Sequence, residues 1–345
     1  MVWPEEEIEE LSKQFGIRAG IRLHQEAEDC HFPDGSFLSK GYSPPGGYVK
    51  DFCFVPTEGH LHLFHIDGHP GEICIAPGNE ISFGHASTSD YCRWIRHPMP
   101  LAVGVRPWED EHIWAPFVYR HDGVYYMFYM GRGHGQTFIS YATSADLQRW
   151  ERWAHGPIRS AVGRDPFVFQ HQEKIVLLYT ALGGARVSAC TSQDMVTWEP
   201  APDPIDIPGG AAAESSSLHP IDGQYVLWFN DYGPNLAGFR AAYAVSSDPF
   251  RFDPAAIRDF RFITDNPAAT PCPELGVDRP VPLSIELIAG SDTLWFVAFF
   301  RWHIDRNRLF FGSLDWASEP ASIKEINSEH ELAVVLRKVG VSRPA

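Results

Sequence analysis

The sequence predicts an all-β fold: a five-bladed β-propeller with a short N-terminal helix and a C-terminal tail. Two repeated patterns carry that expectation. The first is an aromatic and aliphatic run, met five times as LHLFHID (61–67), VYYMFYM (124–130), KIVLLYTA (174–181), QYVLWFND (224–231) and TLWFVAFF (293–300). The second is a polar stretch ending in an aromatic, best preserved as ISYATSADLQRW and VSACTSQDMVTW. Its endpoints Trp94, Trp150, Trp198, Phe252 and Trp316 follow one another at intervals of 56, 48, 54 and 64 residues. A unit of about 50 residues repeated five times, rich in strand formers, is the signature of propeller blades. An ordinary β-sandwich would share the strands but not the repeated ending.

Each strand of the unit has its own reason. The aromatic runs have the β-branched and aromatic content of buried strands. Four follow a turn-like stretch: PTEGH, RHDG, QHQE and PIDG. Before each of these lies another extended run: DFCFV, APFVY, DPFVF and SSSLH. This predicts strand, tight turn, strand. The S-x-D-x-x-x-W ending then predicts a third strand, a turn built on Ser and Asp side chains, and a short fourth edge strand carrying the aromatic. The blades fall at about 48–97, 112–153, 163–200, 213–253 and 282–316, so the propeller spans about 45–316 of a single domain, 1–345. Residues 4–15 read as a capping helix with early glutamates. The tail after 316 carries an amphipathic piece, EHELAVVLRKV.

Composition limits the partners. There are 28 Lys plus Arg against 44 Asp plus Glu, a formal charge of −16. That opposes nucleic acid and anionic membrane, which reward basic surfaces, and leaves a small neutral ligand. No apolar stretch reaches a membrane-spanning length, and the N-terminus lacks a secretory pattern. The expectation is a cytoplasmic protein. Its six cysteines form no CxxC pair and read mostly as reduced, buried thiols; disulfides are the alternative. No H-E-x-x-H or His-Cys cluster points to a transition metal. GRGHGQ lacks the Lys-Ser/Thr of a phosphate loop.

In a propeller the first strand of each blade lines the central channel and starts near its mouth. Counting back from the second-strand aromatic puts Asp51, Ala115, Asp165 and Glu214 in that slot, with Ile285 or Glu286 in blade five. Three carboxylates in one repeated slot should converge. Buried like charges raise at least one pKa, and a protonated acid beside ionised carboxylates is what glycoside hydrolysis uses. The charge run Glu109, Asp110 and Glu111 reads as solvated surface. Trp114, at the start of the second inner strand, is either packing or a sugar platform. Asn230, Asp231, Arg301 and Trp302 stand at ends of second strands and are candidates for the rim.

These motifs resemble the five-bladed propeller glycosidases: glycoside hydrolase family 43 and its relatives in families 32, 62, 68 and 117. IWAPFVYRHDGVYYMFYMG and ISYATSADLQRWE resemble family 43. GRDPFVF resembles both family 43 and the Arg-Asp-Pro motif of the fructosidases. The resemblance implies that Asp51 is the base or the nucleophile, Asp165 tunes the acid, and Glu214 is the general acid. Arg164, beside Asp165, is placed to donate hydrogen bonds to sugar hydroxyls, and by position Trp114, Asn230, Arg301 and Trp302 are the other candidate substrate contacts. His303 would stand near a central calcium or water cluster, with no cofactor required beyond that structural ion. His85, in FGHASTS, resembles a structural histidine. Two departures stand out: KDFCF replaces the Asn-Asp-Pro-Asn of fructosidases, and ESSS replaces Glu-Gly-Pro or Glu-Cys. The expected activity is hydrolysis of a short arabinofuranoside or xyloside, with inversion. The alternatives are a retaining fructosidase or fructosyltransferase, and a sugar-binding propeller without hydrolysis.

Overall fold

The computed structural model describes residues 28–30, 36–183, 185–210, 212–232, 239–271, 279–291, 293–303 and 306–341. The expected helix over 4–15 and Cys272 lie outside the described residues. Five antiparallel blades form the predicted propeller. β1 (Glu28–Cys30) adds to the outer edge of blade one, followed by a short helix, α1 (Ser36–Lys40). Blade one proper is β2 (Tyr48–Thr57), β3 (His60–Gly68), β4 (Ser82–Thr88) and β5 (Trp94–His97). Blade two is β6 (His112–His121), β7 (Val124–Gly133), β8 (Gln136–Ser144) and β9 (Glu151–Arg152). Blade three is β10 (Gly163–His171), β11 (Lys174–Ala181), β12 (Arg186–Ser192) and β13 (Glu199–Asp206). Blade four is β14 (Ala212–Ile221), β15 (Gln224–Tyr232), β16 (Phe239–Ser246) and β17 (Arg258–Asp259). Blade five begins with an added outer strand, β18 (Arg261–Ile263), parallel to its fourth strand. It continues as β19 (Leu283–Gly290), β20 (Leu294–His303), β21 (Arg306–Asp315) and β22 (Ser322–Glu325). The tail then forms α2 (Glu329–Lys338), capped by Ser328 accepting from the Glu331 amide.

The repeated ending builds the predicted turn. Ser144 Oγ accepts from the Leu147 amide, and Asp146 Oδ1 accepts from the Gln148 and Arg149 amides. Ser192 and Asp194 repeat this, and Thr88 and Asp90 do so in blade one. Backbone donors pull the Asp194 carboxyl down to about 2. Trp150 and Trp198 stand just before the fourth strand and Trp316 directly after the third, so of these tryptophans only Trp94 is in the fourth strand. Blades three, four and five therefore run on to 206, 259 and 325.

The aromatics close the gaps between blades. Trp150 of blade two meets Phe64 of blade one edge-to-face at 5.6 Å, and Trp198 of blade three meets Phe128 of blade two at 5.8 Å. Trp316 of blade five packs on Tyr243 of blade four, and Trp94 of blade one stacks over Phe311 of blade five. The core is accordingly divided into inter-blade layers. The layer between blades five and one also takes in Phe37 and Leu38 of α1 and Leu332, Val335 and Leu336 of α2, so the two short helices cover the seam where the ring closes. Cys53 and Cys190 are buried free thiols. No described helix is long and apolar enough to cross a membrane.

One expectation fails here. Glu109 is fully buried, not solvated: it pairs with Arg152 at 2.9 Å and accepts from the Tyr129 hydroxyl at 2.5 Å. A run of three acids cannot show that one of them folds inward onto an arginine 43 positions further on.

Candidate active site

The inner strands β2, β6, β10, β14 and β19 each pair regularly with the second strand, then break register at one equivalent place. The last pairs before the break are Lys50↔Ile66, Trp114↔Met130, Arg164↔Thr180, Glu214↔Asn230 and Leu283↔Phe300. The next residue always has positive φ: Asp51 32°, Ala115 50°, Asp165 54°, Ser215 51° and Ser284 48°. Such backbone costs about 1–3 kcal/mol in a non-glycine residue and concentrates at functional sites. The bulge bends the strand and re-aims the side chain. All five residues line one small, open pocket at the channel, together with Phe52, Phe117, Phe167 and Glu286.

This register corrects the sequence count. The blade-four slot holds Ser215, not Glu214, and the blade-five slot holds Ser284, not Ile285 or Glu286. Two slots of five carry a carboxylate. Glu214 belongs one residue earlier, in the ring of Lys50, Trp114, Arg164 and Leu283. Counting back to an aromatic misses a one-residue shift, because each bulge inserts one extra residue and the aromatic chosen as reference does not face it equivalently in every blade.

The slot residues meet across the channel. Ser284 Oγ donates to Asp51 Oδ1 at 2.8 Å, and the Ser215 hydroxyl lies 3.5 Å from the same oxygen. The two serine hydroxyls are 2.9 Å apart. The Ser215 amide donates to Asp165 Oδ2 at 3.0 Å, with Thr180 Oγ1 3.3 Å from that oxygen. One residue of blade four thus touches the aspartates of blades one and three. Burial, reinforced by the neighbouring Asp165 charge, pushes the Asp51 carboxyl up to about 7, against the pull of Lys50 and Ser284. Lys50 is itself anchored on buried Glu80 at 3.3 Å, which also accepts from Tyr48 at 2.6 Å. Glu214 pairs with Arg164 Nη2 at 2.5 Å, and Arg164 Nε lies 3.9 Å from Asp165.

The sequence count offers Glu286 only as a slot residue. It instead follows the break, level with Phe52, Phe117, Phe167 and Ser217. Among three phenyl rings its carboxyl is pushed up to about 8 by burial. Ser215, Ser284, Thr180 and the Lys50–Glu80 pair were also missed; hydroxyl residues at a strand start give no sequence signal.

Trp114 and Arg164 stand half-buried in the ring with Glu214, next to the slot residues but not among those that line the cavity, and the indole stacks on His112 at 4.7 Å and 9°. Asn230 and Arg301 do not present free groups to a sugar. Asn230 Oδ1 accepts from the Ser284 amide and its Nδ2 donates to the Pro282 carbonyl, clamping blade four to blade five. Arg301 is 1% exposed, binds both oxygens of Glu325 at 2.7 and 2.8 Å, and lies 3.8 Å over Phe310. Trp302 packs half-buried against the seam core, and His303 is buried near Phe310; neither lines the cavity. Asp231 pairs with Arg240 at 2.8 Å. Calcium takes six or more oxygen ligands. The channel carboxylates face N–H and O–H donors instead, and His303 is not among the cavity residues, so this donor set does not fit that ion.

A propeller with carboxylates gathered at the mouth of its channel defines a class: the propeller glycoside hydrolases. The family description "Glycosyl hydrolases family 32 N-terminal domain" matches residues 42–254, and the chain belongs to that family. No curated protein matches the sequence. Among solved structures, it is similar to a family 32 β-fructofuranosidase from Bombyx mori (TM-score 0.63, 14% identity, 93% of this chain and 70% of that one). It is also similar to an endo-arabinase from Bacteroides thetaiotaomicron (0.57, 12%, 76% and 93%). A third is a family 43 β-xylosidase/α-arabinofuranosidase from a compost metagenome, solved with xylotriose (0.57, 12%, 81% and 94%). At these identities the likeness is one of fold.

Proposed function

We propose that the chain hydrolyses short furanosides, with Asp51 and Glu214 as the working carboxyl pair and Asp165 as a positioning residue. The observation that carries this reading is the shared contact of Asp51 and Asp165 with Ser215, beside Glu214 on the same strand. Asp51, with its carboxyl near 7, suits a proton acceptor for an attacking water at neutral pH. Glu214 rests on Arg164. A sugar hydroxyl that takes over the guanidinium's hydrogen bonds would free the carboxyl to take up a proton from solvent, which it gives to the leaving oxygen while Asp51 takes one from the attacking water. Asp165 then keeps Arg164 and the Ser215 backbone in place. This gives direct displacement with inversion.

The membership in family 32 and Arg164–Asp165–Pro166 favour a second reading: a β-fructofuranoside substrate and a double displacement with Asp51 as nucleophile. One experiment separates them. Aryl or natural fructofuranosides, arabinofuranosides and xylosides are screened, and the first-formed anomer is followed by proton NMR, with Glu214→Gln as control. An inverted product supports water activation by Asp51; a retained one supports the nucleophile. No turnover on any of these, or unchanged turnover in Glu214→Gln, overturns the hydrolase assignment.

A further inference from the structure

On blade one, away from the channel, three adjacent strands bring together histidines that look scattered in the sequence. His85 of β4 pairs across the ladder with Phe64 of β3 on one side and His97 of β5 on the other. His62 precedes Phe64 by two positions, so the period-2 pleat puts it on the same face. His62 Nδ1 and His85 Nε2 are 2.9 Å apart. The His85 and His97 rings lie 4.3 Å apart, and those of His62 and His97 5.8 Å. One ring nitrogen from each lies within 4.8 Å of the other two.

We propose that His62, His85 and His97 form a binding site for a divalent transition ion of the zinc type. Imidazole is a preferred ligand for such ions, and three protein ligands with one open position is a common zinc arrangement. Zn–N bonds of about 2.0–2.1 Å need the three nitrogens evenly spaced around the ion, so binding requires ring rotations that open the His62–His85 pair and draw His97 in. The surroundings are those of a ligand set. Buried Phe64 stacks on His85 at 4.3 Å and 17°, walling one side. Ser87 Oγ lies 2.8 Å from His97 Nε2 and fixes that ring's orientation, as outer-shell partners do. His85 Nδ1 is buried with no hydrogen-bond partner among the described residues. The fourth position is left to water or to exposed His60, whose ring lies 6.4 Å from that of His62. The ion ties β3, β4 and β5 together and stiffens the outer half of blade one. It takes no part in the channel chemistry.

The test uses the full chain, stripped with a chelator and then titrated with zinc by calorimetry and with cobalt(II) by visible absorption. One equivalent of zinc is expected, with a rise in Tm on loading and a tetrahedral cobalt(II) spectrum. His62 and His97 are half-buried, so His62→Gln and His97→Gln are the variants, checked for folding by circular dichroism. Each should lower affinity by more than the roughly 10–100-fold that an outer-shell partner is worth. His171→Gln, on blade three, should bind as the wild type. Absence of stoichiometric binding in the wild type, or wild-type affinity in both folded variants, overturns the site.

Discussion

Replacing Asp51 by asparagine separates what its position does for chemistry from what it does to stability. Its carboxyl titrates near 7 in the folded chain, against 3.8 for the free group. The folded state therefore holds this proton more tightly than the unfolded state. Stability is present at low pH, falls as pH rises from about 4 to 7, and stays lost above that window. Three pKa units correspond to about 4 kcal/mol at 1.36 kcal/mol each. The side chain is only half-buried, so solvent screening reduces this to about 2 kcal/mol. An unfolding entropy of about 2.1 cal/mol/K per residue over 345 residues makes each kcal/mol worth about 1.4 °C. Asp51→Asn removes the charge and keeps an oxygen to accept from Ser284. It should raise Tm by about 3 °C at pH 8 and change it by less than about 1 °C at pH 4.5, read by calorimetry. The same variant should lose about 10²–10⁴ in kcat on a cleaved substrate. An equal Tm shift at both pH values, or none at pH 8, refutes the claim that the Asp51 charge is held at a cost to folding.

Other residues give independent readings. With Asp51 as the base, kcat/KM should rise with pH through about 7; Ser284→Ala removes a hydrogen bond that favours the charged form, so the acid limb of that profile should move to higher pH. Glu325→Gln leaves Arg301 buried without its carboxylate and should cost about 3–5 kcal/mol in urea unfolding, whereas replacing both by methionine should restore most of it. Asn230→Ala removes two inter-blade hydrogen bonds, one of them the clamp on the Ser284 amide; it should cost about 1–3 kcal/mol and lower kcat more than it raises KM. Glu286→Gln should leave stability unchanged below about pH 4.5 and raise it progressively between there and about pH 8, with the full gain above, as read by thermal unfolding across that range.

The architecture is legible in the order of residues alone. Strand content, the Ser-x-Asp turn and the closing aromatics are local or nearest-neighbour properties, and they recur five times, so five blades and their order could be read directly. The same repeat located Asp51 and Asp165, because two blades carry a carboxylate at matching places in matching strands. Only the tertiary structure decided the register within a bulge, which moved Glu214 out of the slot and put Ser215 and Ser284 into it. Pairing geometry, not residue type, sets where a strand breaks. It also decided which charges are buried and with whom. Glu109 found Arg152, Arg301 found Glu325, and Asn230 found the backbone of the next blade, each through contacts between segments far apart in the chain. The raised carboxyls of Asp51 and Glu286 have the same origin: a pKa depends on the dielectric and the charges around the group, and these exist only once five separate strands enclose one channel.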